Sequence, residues 1–158
     1  MFLRIVFADS RKTKKFYQRL IAWWTRPGPY CHCELWFSGT KEKALTYSSL
    51  EGAGTRFTVQ SLEDYDYVSI TEDSKEALKV FRFCNERPRF KYDWAGIVGF
   101  TGPFKIHDDD DRFCSENCYE SLGLTGWLEN KEERWKVSPN ELAKIVAAKY
   151  GPLKPLSD

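Results

Sequence analysis

An α+β domain, a small antiparallel sheet flanked by helices, is what this sequence predicts. Three observations carry the prediction. Short segments rich in β-branched and aromatic residues follow one another between residues 2 and 70. Apolar residues recur at helical spacing in segments near both ends of the chain. Gly, Pro, Asn, Asp and Ser punctuate the intervals. No internal repeat and no low-complexity linker interrupts the 158 residues. A single domain over 1–158 is therefore expected, long enough to bury a core without staples.

The elements follow in order. Phe2 to Phe7 reads as a strand of Leu, Ile, Val and Phe. A helix is expected from about Arg11 to Thr25, with Phe16, Tyr17, Leu20, Ile21 and Trp24 on one side, stopped by Arg26-Pro27-Gly28-Pro29. Cys31 to Phe37 is the next strand, ended by the Ser38-Gly39 turn, and Ala44 to Ser48 follows. Beyond Glu51-Gly52-Ala53-Gly54, Arg56 to Gln60 and Tyr67 to Ile70 are expected to complete a meander. Asp73 or Ser74 caps a helix through about Asn85, with Leu78, Phe81 and Cys84 facing inward. Tyr92 to Phe100 reads as a helical turn, and Asp108 to Asp111 as a solvated acidic loop. Cys114 opens a helix through about Leu122, closed by Gly123. Ser138-Pro139-Asn140-Glu141 is a capping box that starts a helix to about Tyr150.

Composition removes several function classes. The formal net charge is +1, so no overall field draws the chain to nucleic acid. Gly52-Ala53-Gly54 lacks the lysine and spacing of a phosphate loop. No apolar run approaches the ~18 residues of a membrane helix. The start reads as lacking a signal peptide, and five cysteines, an odd count, predict reduced thiols in a cytoplasmic compartment.

Two segments carry the chemistry. In Tyr30-Cys31-His32-Cys33-Glu34-Leu35-Trp36-Phe37, strand alternation puts Cys31, Cys33, Leu35 and Phe37 on one face and His32, Glu34 and Trp36 on the other. An imidazole beside a carboxylate is what nucleophilic catalysis asks of a base, because the acid fixes the tautomer and stabilises the imidazolium. Taken alone, the pair also fits a structural contact on a solvated sheet face. In Arg112-Phe113-Cys114-Ser115-Glu116-Asn117-Cys118, Cys114 stands at a helix start, where unpaired N–H groups favour a thiolate and can hold an oxyanion. Burial as a small hydrophobe is the alternative, and it is the expected fate of Cys118. The acidic run before Cys114 would work against a thiolate if it folded close by. Together the segments form a Cys/His pair on separate elements, with Cys114 as nucleophile and His32 as base.

The blocks Pro29 to Ser38, Tyr92-Asp93-Trp94-Ala95-Gly96-Ile97 and Phe113-Cys114-Ser115-Glu116 resemble a family found widely in phages and prophages. That family is similar to the circularly permuted, NlpC-like branch of papain-like cysteine hydrolases, which also includes lecithin:retinol acyltransferase-like enzymes. In the permuted order the histidine strand precedes the cysteine helix, as His32 precedes Cys114 here. The resemblance implies a cysteine peptidase or amidase with Cys114 as nucleophile and His32 as base. Its third residue falls on Glu34, with Glu51 as runner-up. Related permuted enzymes draw it from the following strand, here Tyr47, Ser48 or Ser49. Cys31 and Cys33 depart from the small hydroxyl residue and Val common beside the family histidine. The implied substrates are peptide amides, peptidoglycan peptides among them, with esters and thioesters behind. No cofactor and no metal is implied. The location would be a host cytoplasm or a virion.

Other readings compete. A binding or virion-structural module on the same fold is suggested by Trp23, Trp24, Trp94, Trp127 and Trp135 as contact residues, although core burial explains most tryptophans. A metal site drawn from Cys31, Cys33, Cys114, Cys118, His32 and His107 lacks paired Cys-x-x-Cys knuckles. The acidic run lacks the spaced ligands of a calcium loop. The basic face of the first helix suits either water or an anionic membrane surface. Oligomeric state leaves no signature.

Overall fold

A computed structural model describes residues 1–12, 28–50, 52–92, 111–129 and 136–156. Strands β1 (Leu3–Asp9), β2 (Tyr30–Gly39), β3 (Ala44–Leu50), β4 (Gly54–Gln60), β5 (Tyr65–Thr71) and β6 (Lys154–Pro155) form one antiparallel sheet in the order β4-β3-β2-β1-β5-β6. Helices α1 (Ser74–Glu86), α2 (Cys114–Leu124) and α3 (Pro139–Tyr150) complete an α+β architecture. The helix expected over 11–25 falls outside the described residues beyond residue 12, and the turn expected over 92–100 beyond residue 92.

Strand β1 is buried on both faces, which explains its unbroken apolar run. Leu3, Ile5 and Phe7 point to the main core, where they meet Cys33, Leu35 and Phe37 of β2 and Val68 and Ile70 of β5. The helices close this side, with Ala77, Val80 and Cys84 of α1, Cys118, Tyr119 and Leu122 of α2, and Leu142, Ala143 and Val146 of α3. Leu78, expected to face inward, is only half-buried; one residue's rotation puts Ala77 there instead. The caps behave as read. Asp73 accepts from the amides of Lys75 and Glu76, and Ser138 from that of Glu141. The Glu141 carboxylate bonds Lys144, so only half of the expected capping box is seen. Helix α2 runs past Gly123 and ends at Thr125, whose hydroxyl bonds the Ser121 carbonyl, with Gly126 at φ 83° just beyond.

Strand β5 overturns the meander. It does not continue beside β4 but crosses to the far side of β1. The reason is the second sheet face, which carries Val6, Trp36 and Ala44 and has no helix to cover it among the described residues. The connection between β4 and β5 runs over this face and buries Leu62 completely against those three residues. The Leu62 amide donates to the Lys41 carbonyl and fixes the crossing. Truncating Leu62 to Ala is expected to cost about 2–5 kcal/mol, the range for a fully buried leucine. Urea unfolding would show it as a lower midpoint at unchanged slope; a loss under about 1 kcal/mol would mean the connection is not anchored there. Strand β6, too short to read from sequence, pairs with Asp66 and Tyr67 and ends the sheet on Pro155.

Candidate active site

The β2–β3 ladder runs from Gly39↔Ala44 to Leu35↔Tyr47 and stops there. Beyond it β2 carries Glu34, Cys33 and His32, and β3 carries Ser48 and Ser49. Side-chain hydroxyls replace the missing rungs. Ser48 Oγ donates to the Cys33 carbonyl (2.7 Å) and Ser49 Oγ to the Arg112 carbonyl (2.5 Å). The start of α2 lies at this open margin. Successive strand residues point to opposite faces, so a thiol that reaches both His32 and Cys33 must lie beside the strand, and Cys114 reaches both. Near the same point a bulge opposes Ala8 to His32 and Asp9 to Tyr30, leaving Cys31 as the extra residue. The bulge breaks the alternation expected for Cys31. That side chain leaves the Cys33 face, packs with Ala8 and Phe113, and directs its sulfur at the Ala8 carbonyl.

His32 and Glu34 are both buried, which excludes a solvated sheet face around the pair. The β4–β5 crossing is the cause. His32 Nε2 lies 3.1 Å from Glu34 Oε1. Gln60 Nε2 donates to Glu34 Oε2 (2.5 Å) and the Tyr65 hydroxyl to Oε1 (3.1 Å). Burial pushes the Glu34 carboxyl up, but the hydrogen bond and charge of His32, with bonds from Thr46 and Gln60, hold it below the usual carboxylate range. Ionised Glu34 can only accept, so His32 donates to it from Nε2, and Nδ1 is the ring nitrogen that remains.

Cys114 is 3% exposed and His32 8%. A hydrogen bond from the Cys33 thiol holds the Cys114 thiol well below its ordinary range. The imidazole of His32 and the backbone N–H of Cys33 add to this, against the effect of burial. His32 moves the other way. Burial disfavours its charge, yet the Cys114 sulfur and the Glu34 carboxylate raise it well above 6.5. These opposite shifts favour separation of charge between Cys114 and His32. The neighbouring sulfurs do not share it. Burial pushes Cys31 up to about 12 and raises Cys33 well above its ordinary value. Cys118 is fully buried with its sulfur on the Cys33 carbonyl, and Cys84 lies in the core.

The segment that delivers Cys114 is held by a buried ion network. Arg112 bonds Glu120 (3.1 Å) and approaches Glu116 (4.0 Å), while Arg87, just past the end of α1, bonds the same Glu120 carboxylate (2.5 Å). The Arg112 guanidinium also covers the Phe90 ring at 4.5 Å. Its amide donates to the Lys91 carbonyl, and the neighbouring Thr55 amide donates to the Phe90 carbonyl. That close approach requires Gly54, at φ 66°, because a Cβ there would lie 2.0 Å from the Phe90 oxygen. Helix α2 starts at Cys114, with Phe113 at its N-cap and no side-chain cap bond.

Among the expected site residues, His32, Glu34 and Cys114 come together. Tyr47 lies in the core with its ring 4.9 Å from that of Phe57, and Ser48 and Ser49 bind backbone, so none of the three touches His32. Glu51, His107, Trp23, Trp24, Trp94 and Trp135 lie outside the described residues. Trp127 packs half-buried against the core. Gln60, Tyr65 and the Arg112 network were not foreseen. Only the spacing of Arg112, Glu116 and Glu120, four residues apart, hinted at the latter. No protein family, characterised protein or solved structure matches the chain. No helix among the described residues is long and apolar enough to cross a membrane.

Proposed function

We propose that this chain is a papain-like cysteine hydrolase of the circularly permuted, NlpC-like kind, cleaving a peptide-type amide through an acyl-enzyme on Cys114. One observation carries the reading: a thiol buried at a helix start lies within electrostatic reach of an imidazole whose Nε2 is held by a buried carboxylate. The chain order, histidine strand before cysteine helix, is that of the permuted enzymes. Peptide amides, including those of peptidoglycan, are the first choice of substrate; esters and thioesters suit the same chemistry.

In the reaction the Cys114 thiolate attacks the carbonyl carbon. The oxyanion that forms meets the first-turn amides of α2. His32 gives its Nδ1 proton to the departing amine, and a thioester remains on Cys114. Water then loses a proton to His32, attacks the thioester and releases the acid. Glu34 stays ionised throughout and keeps the imidazole aimed.

Alkylation of all five cysteines against pH, read by mass spectrometry, tests this directly. Cys114 alone is expected to react fast, with an apparent pKa well under the ~8.5 of a free thiol. If Cys114 is inert or titrates like an ordinary thiol, the hydrolase reading falls. The near-complete burial of Cys114 and His32 would then be that of a binding module on the same fold.

A further inference from the structure

Glu34 is a carboxylate with 1% of its surface exposed, on the face that also carries Val6, Trp36 and Leu62. A carboxyl so placed is ordinarily neutral, because burial penalises the charged form. A neutral Glu34 would have one oxygen occupied by its own proton and would lose its hold on the imidazolium. His32 is the first group that keeps it charged, and further donors add to its hold.

Two donors to this carboxylate stand at the two ends of one connection. Gln60 is the last residue of β4 and Tyr65 the first of β5, and the chain between them is the crossing that buries Leu62. Gln60 Nε2 meets Oε2, and the Tyr65 hydroxyl meets Oε1, the oxygen that also faces His32. Gln60 is itself steadied by a second bond from Nε2 to Thr46 Oγ1 (3.1 Å). The Tyr65 ring packs against Ala8, Cys31 and Phe113 on one side and the Trp36 cluster on the other, so its hydroxyl has little freedom. Neither residue touches Cys114 through a hydrogen bond.

We propose that Gln60 and Tyr65 are positioning residues that act through Glu34, holding it ionised and fixed so that His32 keeps Nε2 on the acid and Nδ1 on Cys114. The inference rests on the thiolate–imidazolium reading of Cys114 and His32. The crossing that closes the second face of the sheet thus also builds the floor of the site. Two donors on a carboxylate stabilise its ionised form, and in a dry setting each such bond counts for more than in water. Cys31 and Cys114 are the other titratable groups within electrostatic reach of Tyr65, while Cys33 and Cys118 lie in the core on the opposite face. None of them bonds Glu34.

Tyr65→Phe keeps the ring and removes the hydroxyl; Gln60→Met keeps the length and removes the donor. The readout is the pH profile of Cys114 alkylation by iodoacetamide, with the urea midpoint measured alongside. Each change is expected to raise the apparent pKa of Cys114 and to slow alkylation near pH 6 by about three- to tenfold, the worth of one typical net hydrogen bond. In a Glu34→Gln background, adding Tyr65→Phe should slow it no further, a non-additivity that loose packing would not produce. The chain has two histidines, so ring proton signals provide a second measurement: the His32 pKa should fall in each variant while that of His107 stays. A wild-type Cys114 with a depressed pKa that both variants leave unchanged, with His32 unmoved, overturns this inference and leaves the hydrolase reading standing. A wild-type Cys114 that titrates as an ordinary thiol overturns both.

Discussion

Replacing Cys114 by Ser is expected to abolish turnover of peptide-type substrates, by about 10⁴-fold or more, while the chain stays folded. The size of the effect follows from the site. Every other element is a means of charging or aiming that sulfur, and a serine hydroxyl, with its far higher pKa, gains nothing usable from the Cys33 thiol or His32. Oxygen for sulfur is nearly isosteric, and α2 is anchored independently through Arg112 and Glu120. The unfolding midpoint should therefore move little. Retained turnover at equal stability would remove Cys114 from the chemistry; lost turnover with a collapsed midpoint would show that the sulfur is part of the core instead.

The second large effect concerns pH. On the proposed mechanism the low-pH limb of kcat/KM should report formation of the Cys114 thiolate, held well under the ordinary thiol range by the Cys33 bond and His32. The high-pH limb reports loss of the His32 proton, which Cys114 and Glu34 hold above 6.5 despite burial. One value is lowered and the other raised, so the profile should be a broad bell with a plateau between the two. His32→Ala removes the high-pH limb and lets the thiol climb back towards ~8.5. At pH 6 such a thiol is ionised only to the extent of roughly 0.3%, so alkylation of Cys114 should slow by on the order of 10²-fold. Turnover should fall further, because the amine then has no proton donor. A variant whose Cys114 profile keeps its low-pH limb would assign the whole depression to the Cys33 bond and the helix start.

Much of this was legible because it is local. Alternation along a strand places His32 beside Glu34 whatever surrounds them, and the caps at Asp73 and Ser138 are decided within three residues. The start of α2 was readable from Cys114 onward for the same reason. What was hidden depends on residues far apart in the chain. Nothing near Gln60 or Tyr65 announces that a carboxylate 26 or 31 positions earlier is their partner. The crossing of β5 past β4 was settled by an uncovered sheet face, which no window of sequence contains. The bulge at Cys31 likewise answers to its partner strand. Charges at Arg112, Glu116 and Glu120 resemble a solvated helix face until Arg87 arrives from another helix to bury them.

The unfinished end of the β2–β3 ladder has an evolutionary consequence. Pairing Cys33 to β3 would add cohesion to the sheet, and substitutions at Ser48 or Ser49 that favoured it would make a sturdier protein. They would also turn the Cys33 amide back into the sheet and away from the sulfur it now serves. Selection for thermal endurance and selection for a nucleophile therefore pull in opposite directions at these few residues. Variants of this chain recovered for heat resistance alone should accumulate there first, and should arrive stable and slow.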